Sequence, residues 1–301
     1  MQDRYAGDIG DFGKIALLNA LHEQGLSIGV NWYKTEPLDS EKKADGAYKQ
    51  NDGGYVIPPK LGECDPVLAE KLTKIVYNDR SIHALEKANL IPDAVYYGKK
   101  VTAGDRASWH AEAVSLFDQH KTDLVFLDPD NGLLVSSVKK SHPRSVKYVF
   151  DKEIEEYLNN GHSVLIYNHR SRKPELQYFR EIEERLRRNP DKDEIFEITF
   201  PRYSVRDYFA IPANPEHAAK IKAAFCAMLS GVWKEKRMCQ RPLTAGATFS
   251  DYRSRFEEGK TKAFLKQYRS LPEDVVRKMI KLDDGDTATK ACMFSTWRTD
   301  R

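Results

Sequence analysis

The amino-acid sequence predicts an α/β protein built on a mainly parallel β-sheet. Three observations lead to this prediction. Short apolar runs recur along the chain, each bounded by polar turns or helical patterns, as strands buried on both faces require. A helical pattern lies between the last two of these runs, and a strand, helix, strand order implies a right-handed parallel crossover. Two later apolar runs with a polar connection are typical of an antiparallel hairpin.

Each element follows from a local pattern. Apolar side chains repeat at helical spacing over residues 15–21 until Gly25 supplies a stop, which predicts the first helix. An amphipathic pattern over residues 149–158, ended at Gly161, predicts the crossover helix. Residues 39–54 are predicted to form a polar loop. The predicted buried strands are residues 28–33, 74–77, 94–97, 123–127 and 163–167.

The C-terminal half completes the sheet and then changes character. Residues 194–200 and 207–211 are the predicted strands of the closing hairpin, which a helix over residues 174–188 joins to the body. Together the elements predict a Rossmann-like, seven-stranded sheet in a domain of residues 1–239. Beyond it, stretches rich in Gly, Thr, Arg and Lys alternate with short helical segments, which predicts a basic helical extension over residues 240–301.

Composition limits the function classes. The 48 basic and 45 acidic residues nearly cancel at a net charge of +3, so any nucleic-acid surface must be a local patch. The four cysteines are far apart without a CxxC pair, which favours reduced thiols in a cytoplasm over disulfides or a zinc knuckle. No apolar signal segment opens the chain, and no run approaches the roughly 18 apolar residues that span a bilayer, so we expect no membrane partner.

A turn that follows the predicted strand 123–127 is the main candidate for catalysis. It contains Asp128, Pro129, Asp130 and Asn131 before a glycine, and it lies where ligands bind in open α/β sheets. The two carboxylates lie two residues apart, so both could face one pocket and bind a divalent cation or activate a nucleophile. The alternative is an Asx-turn that only reverses the chain.

Two further segments carry candidate binding residues. The opening loop contains Gly7, Asp8 and Lys14 and runs straight into a helix, so its amides could attract an anion; the alternative is a capped helix start. Asn168, His169 and Arg170 follow the strand 163–167 and could bind a phosphate backbone, or they could form a solvated basic loop. The histidines at 22, 83 and 110 lack ligand spacing, so no metal site is predicted from them.

In motif order the sequence resembles the J-type family of 23S ribosomal RNA adenine-N6 methyltransferases. The family opens on an Ala-Gly-Asn pattern with Asp and Lys at fixed offsets, and Ala6, Gly7 and Asp8 with Asp11 and Lys14 match that arrangement. Its catalytic Asp-Pro-Pro-Tyr turn ends the fourth strand, where this chain has residues 128–131. A fifth strand with a polar end and a closing hairpin follow in both. The likeness covers about residues 5–215.

The resemblance implies S-adenosylmethionine as methyl donor and a nucleic acid, RNA or DNA, as partner. Asp128 would accept a hydrogen bond from an exocyclic amine, and Pro129 and nearby carbonyl groups would orient that amine. Gly7, Asp8 and Lys14 would border the donor, and Asn31, Asp79 and Asp105 would line its site after successive strands. After the first strand, where the family has a glycine-rich turn, this chain has no glycine over residues 31–37. Trp32, Tyr33 or Tyr167 could stack the target base.

Two alternatives remain open from the sequence. A phosphoryl-transfer enzyme, either a nuclease or a phosphohydrolase, would hold Mg or Mn on Asp128 and Asp130, with His169 or Arg170 supporting the phosphate. A non-catalytic nucleic-acid-binding protein on the same scaffold would use the basic tail for its contacts. Only the last alternative predicts that Asp128→Ala leaves function intact.

Overall fold

The computed structural model describes residues 1–38, 56–171, 173, 175–187, 194–202, 204–235 and 239–240. The predicted polar loop at 39–54 and the predicted helical extension beyond residue 240 lie outside these residues. Within the described part, the protein is α/β.

The described strands, in chain order, are β1 (Ile28–Asn31), β2 (Val95–Tyr97), β3 (Leu124–Leu127), β4 (Gly132–Leu133), β5 (Tyr148–Val149), β6 (Ser163–His169), β7 (Phe196–Arg202), β8 (Ser204–Ile211) and β9 (Cys239–Gln240). The α-helices are α1 (Ile9–Glu23), α2 (Pro59–Gly62), α3 (Pro66–Asn78), α4 (Ile82–Lys87), α5 (Arg106–Gln119), α6 (Asp151–Asn159), α7 (Glu175–Leu186), α8 (Pro215–Ser230) and α9 (Val232–Glu235). Short 3-10 helices span Asp3–Tyr5 and Pro143–Lys147.

Six strands of the described part form the main sheet in the order β2-β1-β3-β6-β8-β7, and the two-residue strand β9 pairs with its outer edge. The four neighbouring strands β2, β1, β3 and β6 run parallel to one another, while β8 runs antiparallel to both β6 and β7. The predictions of a mainly parallel sheet and of an antiparallel hairpin are therefore confirmed. β4 and β5 form a separate two-stranded parallel ladder.

The sheet divides the core into two layers because successive side chains of a strand point to opposite faces. In β3, Leu124 and Phe126 join the layer that contains α1, α3 and α8, whereas Val125 and Leu127 join the layer of α5, α6 and α7. All four β3 residues are buried, as expected for a strand covered by helices on both faces. Side chains at the carboxyl edge of the sheet alternate between these two layers in the same way.

One predicted strand is wrong. Residues 74–77 lie inside α3, which begins at Pro66 after Asp65 caps the helix by accepting a hydrogen bond from the Leu68 amide. The buried side chains of α3 are Leu68, Leu72 and Ile75, which is helical spacing. The β-branched pair Ile75 and Val76 imitated a strand locally, but the proline at the first helical position and the acidic cap determine a helix.

The other predicted strands and helices that lie within the described residues are confirmed, with shifts at their ends. The first strand ends at Asn31 instead of residue 33, because Tyr33 takes a left-handed backbone conformation with φ +44°. Among the described residues, no helix has the length and apolar composition needed to cross a membrane.

Candidate functional site

The strand order creates a topological switch point between β1 and β3. The chain passes from β1 to β2 on one side of β1 and then crosses to β3 on the other side. In open α/β sheets, ligands bind outside the carboxyl ends of the two strands that flank such a point. Asp128 directly follows β3, and its amide donates to the carbonyl of Asn31 at the end of β1. The predicted catalytic turn therefore lies at the switch point.

Asp128 is part of a buried charge cluster, here called the Lys14 cluster, with Asp11 and Lys14. The Lys14 Nζ lies 2.7 Å from Asp128 Oδ2 and 2.8 Å from Asp11 Oδ1. Burial raises the pKa of Asp128 even though Lys14 opposes the rise. Burial would lower the pKa of Lys14, but the two carboxylates outweigh it and raise that pKa. A single ammonium group thus holds two carboxylates, one from α1 and one from the turn.

Asp130 binds a different set of partners. Its carboxylate lies 3.0 Å from the amino group of Met1, 3.3 Å from Lys147 Nζ and 2.6 Å from Gln2 Nε2. Thr35 donates its hydroxyl at 3.3 Å. Although burial raises the pKa of Asp130, the two positive groups hold it below its ordinary value. The two aspartates of the turn are therefore held by separate cations.

The rest of the turn is fixed by the backbone. Pro129 is buried, and the Asn131 amide donates to the Lys147 carbonyl while the Asn131 carbonyl accepts from the His169 amide. Gly132 has φ +105°, and a Cβ there would lie 1.9 Å from the Asn168 Oδ1. Only glycine lets the chain approach β6 this closely.

The three residues at the end of β6 that were predicted to bind substrate do not lie on the same face of the sheet. Asn168 accepts from the Leu133 amide at 2.8 Å and donates to the Tyr178 hydroxyl at 2.6 Å, so its amide group joins the turn to α7. Arg170 forms an ion pair with Asp207, with Nε 3.0 Å from Oδ2. Both side chains lie in the α7 layer, opposite α1. Because β6 alternates its faces, only His169 lies on the side of Asp128.

His169 belongs to a second cluster, here called the arginine relay, with Tyr167, Arg206 and Asp8. The Tyr167 hydroxyl lies 2.8 Å from His169 Nε2, and Arg206 of β8 hydrogen-bonds to Tyr167 and attracts the Asp8 carboxylate. Burial and the Arg206 charge lower the pKa of His169 to about 4. The sequence did not indicate this role for Tyr167 and Arg206, because it is the hairpin that brings β8 beside β6.

The opening loop is a capped helix start. The Asp8 side chain accepts hydrogen bonds from the amides of Gly10 and Asp11, at 2.7 and 3.0 Å. The Gly7 amide donates to Asp11 Oδ2 at 2.7 Å. Carboxylates of the chain thus accept hydrogen bonds from the amides that could otherwise bind an external anion, so the structure shows the capped helix start. Burial and the neighbouring Asp11 charge raise the pKa of Asp8 to about 6.

The raised pKa of Asp8 predicts a pH-dependent contribution to stability. Its folded-state pKa of about 6 exceeds the ordinary 3.8, so its contribution is complete below pH 3.8 and is lost as pH rises through about 6. The loss is on the order of 3 kcal/mol, because each pKa unit corresponds to about 1.4 kcal/mol. Asp8→Asn keeps an N-cap residue but cannot titrate. In urea unfolding across this range, the wild type should lose stability relative to Asp8→Asn; parallel pH profiles would contradict the assignment.

Of the three residues predicted to line the donor site after successive strands, Asn31 contacts the Lys14 cluster through its carbonyl, which accepts from the Asp128 amide, whereas Asp79 and Asp105 lie elsewhere. Asp79 does not follow a strand, as was predicted, because it ends helix α3 and is exposed. Asp105 precedes α5 and is also exposed. The Asn31 side chain donates to the Tyr157 hydroxyl at 3.0 Å, in the layer opposite α1. The prediction that Asp79 is at a strand end is therefore wrong.

The predicted stacking aromatics are all buried. Trp32 and Tyr33 are 1% and 0% exposed, and Tyr167 is 7% exposed. Trp32 donates to Glu86 and stacks on Tyr96, while the Tyr33 hydroxyl donates to Glu153. Their ring faces pack in the core, so the prediction that one of them stacks a flipped base is not supported by this arrangement.

Within the described part of the chain, no group of three or more His, Cys, Asp or Glu side chains is placed to hold a metal ion. Comparisons of the chain with models of protein families, with curated proteins and with solved structures gave no match. The site must therefore be interpreted from its own geometry.

Proposed function

We propose that the chain is a methyltransferase-like enzyme that transfers a methyl group from S-adenosylmethionine to an amine of a nucleic acid. The observation that carries the proposal is the position of Asp128 and Pro129 at the carboxyl end of β3, beside the switch point. An Asp-Pro turn at this place is what the family resemblance implies. A Rossmann-like interpretation of the sheet, with β8 and β7 as the closing hairpin, supports the same conclusion.

The polar groups at the switch point suit the methionine part of the donor. The Met1 amino group binds the carbonyl groups of Trp32, Tyr33 and Asp128 at 3.0 to 3.2 Å, and it also pairs with the Asp130 carboxylate. The Met1 thioether lies 3.5 Å from Lys14 Nζ. S-adenosylmethionine carries an ammonium group on the same carbon skeleton. The same carbonyl groups and the Asp130 carboxylate would bind the ammonium group of the donor.

The chain's own residues would act mainly by positioning. S-adenosylmethionine supplies an activated methyl group. Asp128 would accept a hydrogen bond from the target amine and so aim the nitrogen lone pair, while Lys14 keeps that carboxylate in place. The buried Pro129 has a fixed φ, which restricts the backbone of the turn. The nitrogen would release its proton to Asp128 or to water as the new carbon–nitrogen bond forms and the bond between the methyl carbon and the donor sulfur breaks.

The experiment that tests the proposal is transfer of a radiolabelled methyl group from S-adenosylmethionine to ribosomal RNA transcripts and to duplex DNA. We expect incorporation with the wild type and a loss of about 100-fold with Asp128→Asn, because misplacement of the amine costs about that much. Asp123→Asn is the matched control, since Asp123 immediately precedes the same strand at its other end. Transfer that survives Asp128→Asn, or no transfer to either nucleic acid, would refute the proposal.

A further inference from the structure

The arginine relay fixes the direction of its own hydrogen bonds. A guanidinium group has only donors, so the Tyr167 oxygen must accept from Arg206. Tyr167 is 7% exposed and Arg206 6% exposed, and therefore neither exchanges its partner for water at low cost. The single hydroxyl proton of Tyr167 then needs an acceptor of its own. Among the described residues, His169 Nε2 at 2.8 Å is the acceptor that it reaches.

This direction selects one form of the imidazole. If Tyr167 donates to Nε2, that nitrogen carries no proton, and the neutral ring carries its proton on Nδ1. The opposite direction would leave the buried Tyr167 proton without an acceptor in the described part of the chain. A doubly protonated ring is disfavoured, because burial and the Arg206 charge lower the pKa of His169, and Lys14 also repels the cation. Asp130 and Asp207 attract the cation, but their effect is smaller.

The His169 imidazole is the partly exposed end of the arginine relay. His169 is half-buried, while the groups behind it are buried. Its amide donates to the Asn131 carbonyl, which ties it to the turn of Asp128. No described residue forms a hydrogen bond with Nδ1. The relay therefore ends in a fixed donor on the side of the sheet where Asp128 offers an acceptor.

We propose that His169 presents its Nδ1–H to the ligand as a hydrogen-bond donor, and that Arg206 is a positioning residue that fixes this tautomer through Tyr167. The matching ligand atom is a neutral acceptor. On the proposed function, on which this last step rests, that atom is the ring nitrogen next to the target amine of a nucleobase. Asp128 and His169 then form an acceptor and donor pair that is complementary to such an edge.

The tautomer is tested by nitrogen NMR of the histidine side chains in the whole protein, with His169→Asn used to assign the signal. We expect a protonated Nδ1 and an unprotonated Nε2 in the wild type. Tyr167→Phe, which keeps the ring, and Arg206→Met should each give a mixture of the two neutral tautomers of His169. Arg206→Lys, which keeps a donor to Tyr167, should give the wild-type tautomer. A protonated Nε2 in the wild type, or a Tyr167→Phe spectrum equal to the wild type, would overturn the relay.

The ligand is tested by calorimetry with adenosine monophosphate and its 1-deaza analogue, which lacks the ring nitrogen beside the amine. The wild type should prefer the natural nucleotide by about tenfold, the worth of one hydrogen bond at a desolvated site. His169→Asn retains an N–H near the Nδ1 position and should keep the preference; His169→Leu should lose it. Equal affinities, or no binding of either nucleotide, would overturn the ring-nitrogen assignment. If S-adenosylmethionine does not bind but the preference persists, only the proposed function fails.

Discussion

Gly132→Ala is expected to destabilise the protein by about 3 kcal/mol or more. The added Cβ would lie 1.9 Å from the Asn168 Oδ1, and the backbone there has φ +105°. A left-handed conformation costs a non-glycine residue about 1–2 kcal/mol. Moving Asn168 away would also break its 2.8 Å hydrogen bond with the Leu133 amide, and an unsatisfied buried group costs about 1–3 kcal/mol.

Gly161→Ala is the matched control for this effect. Gly161 has φ +85°, but nothing lies within 4 Å of an added Cβ. Its substitution should therefore cost only the backbone term of about 1–2 kcal/mol. Urea denaturation of both variants separates the contact with Asn168 from the cost of the conformation. Equal losses in the two variants would show that the turn does not depend on a close approach to β6.

Lys14→Met should have the second large effect. The substitution keeps the length of the side chain but removes the only cation whose contacts with both Asp11 and Asp128 are observed in the described part of the chain. Because both carboxylates are buried, we expect a loss of about 3–5 kcal/mol, the usual cost of breaking a buried ion pair by removing one partner. Chemical denaturation at neutral pH measures this loss.

The control is Lys74→Met, which removes an exposed ion pair with Glu70 on α3. Both side chains are about two-thirds exposed, so the change should lie within about 1 kcal/mol. The pH dependence of the stability deficit of Lys14→Met is a second diagnostic. Without Lys14, the pKa of Asp128 should rise further, because Lys14 opposes the rise that burial causes, so the deficit should shrink as the pH falls and this carboxyl becomes protonated. A small deficit that does not depend on pH would contradict the Lys14 cluster.

The local sequence pattern was sufficient to predict most strands of the sheet. β1, β3 and β6 are apolar runs that periodicity detects, and the hairpin of β7 and β8 follows from two runs with a polar connection. The segment at 74–77 failed because β-branched residues within a helix resemble a strand when only four positions are considered. The Asp65 cap and Pro66 were available signals for the helix.

The site was predictable only in part. The turn at Asp128 was found because it follows a buried strand, and Lys14 was found from the opening pattern. Asn168 and Arg170 lie on the opposite face of the sheet from His169. This separation could be predicted from the sequence, because successive side chains of a strand alternate between its two faces. The contact of Arg206 with Tyr167 could not be predicted, since it depends on the pairing of β8 with β6.

The most direct test of the central claim is calorimetric titration of the protein with S-adenosylmethionine, with magnesium and manganese in parallel. The proposed function predicts saturable binding of the methyl donor that Asp130→Asn weakens, because the Asp130 carboxylate would hold its ammonium group. It would be contradicted if the methyl donor did not bind while either metal bound and required Asp128. That result would favour the phosphoryl-transfer alternative.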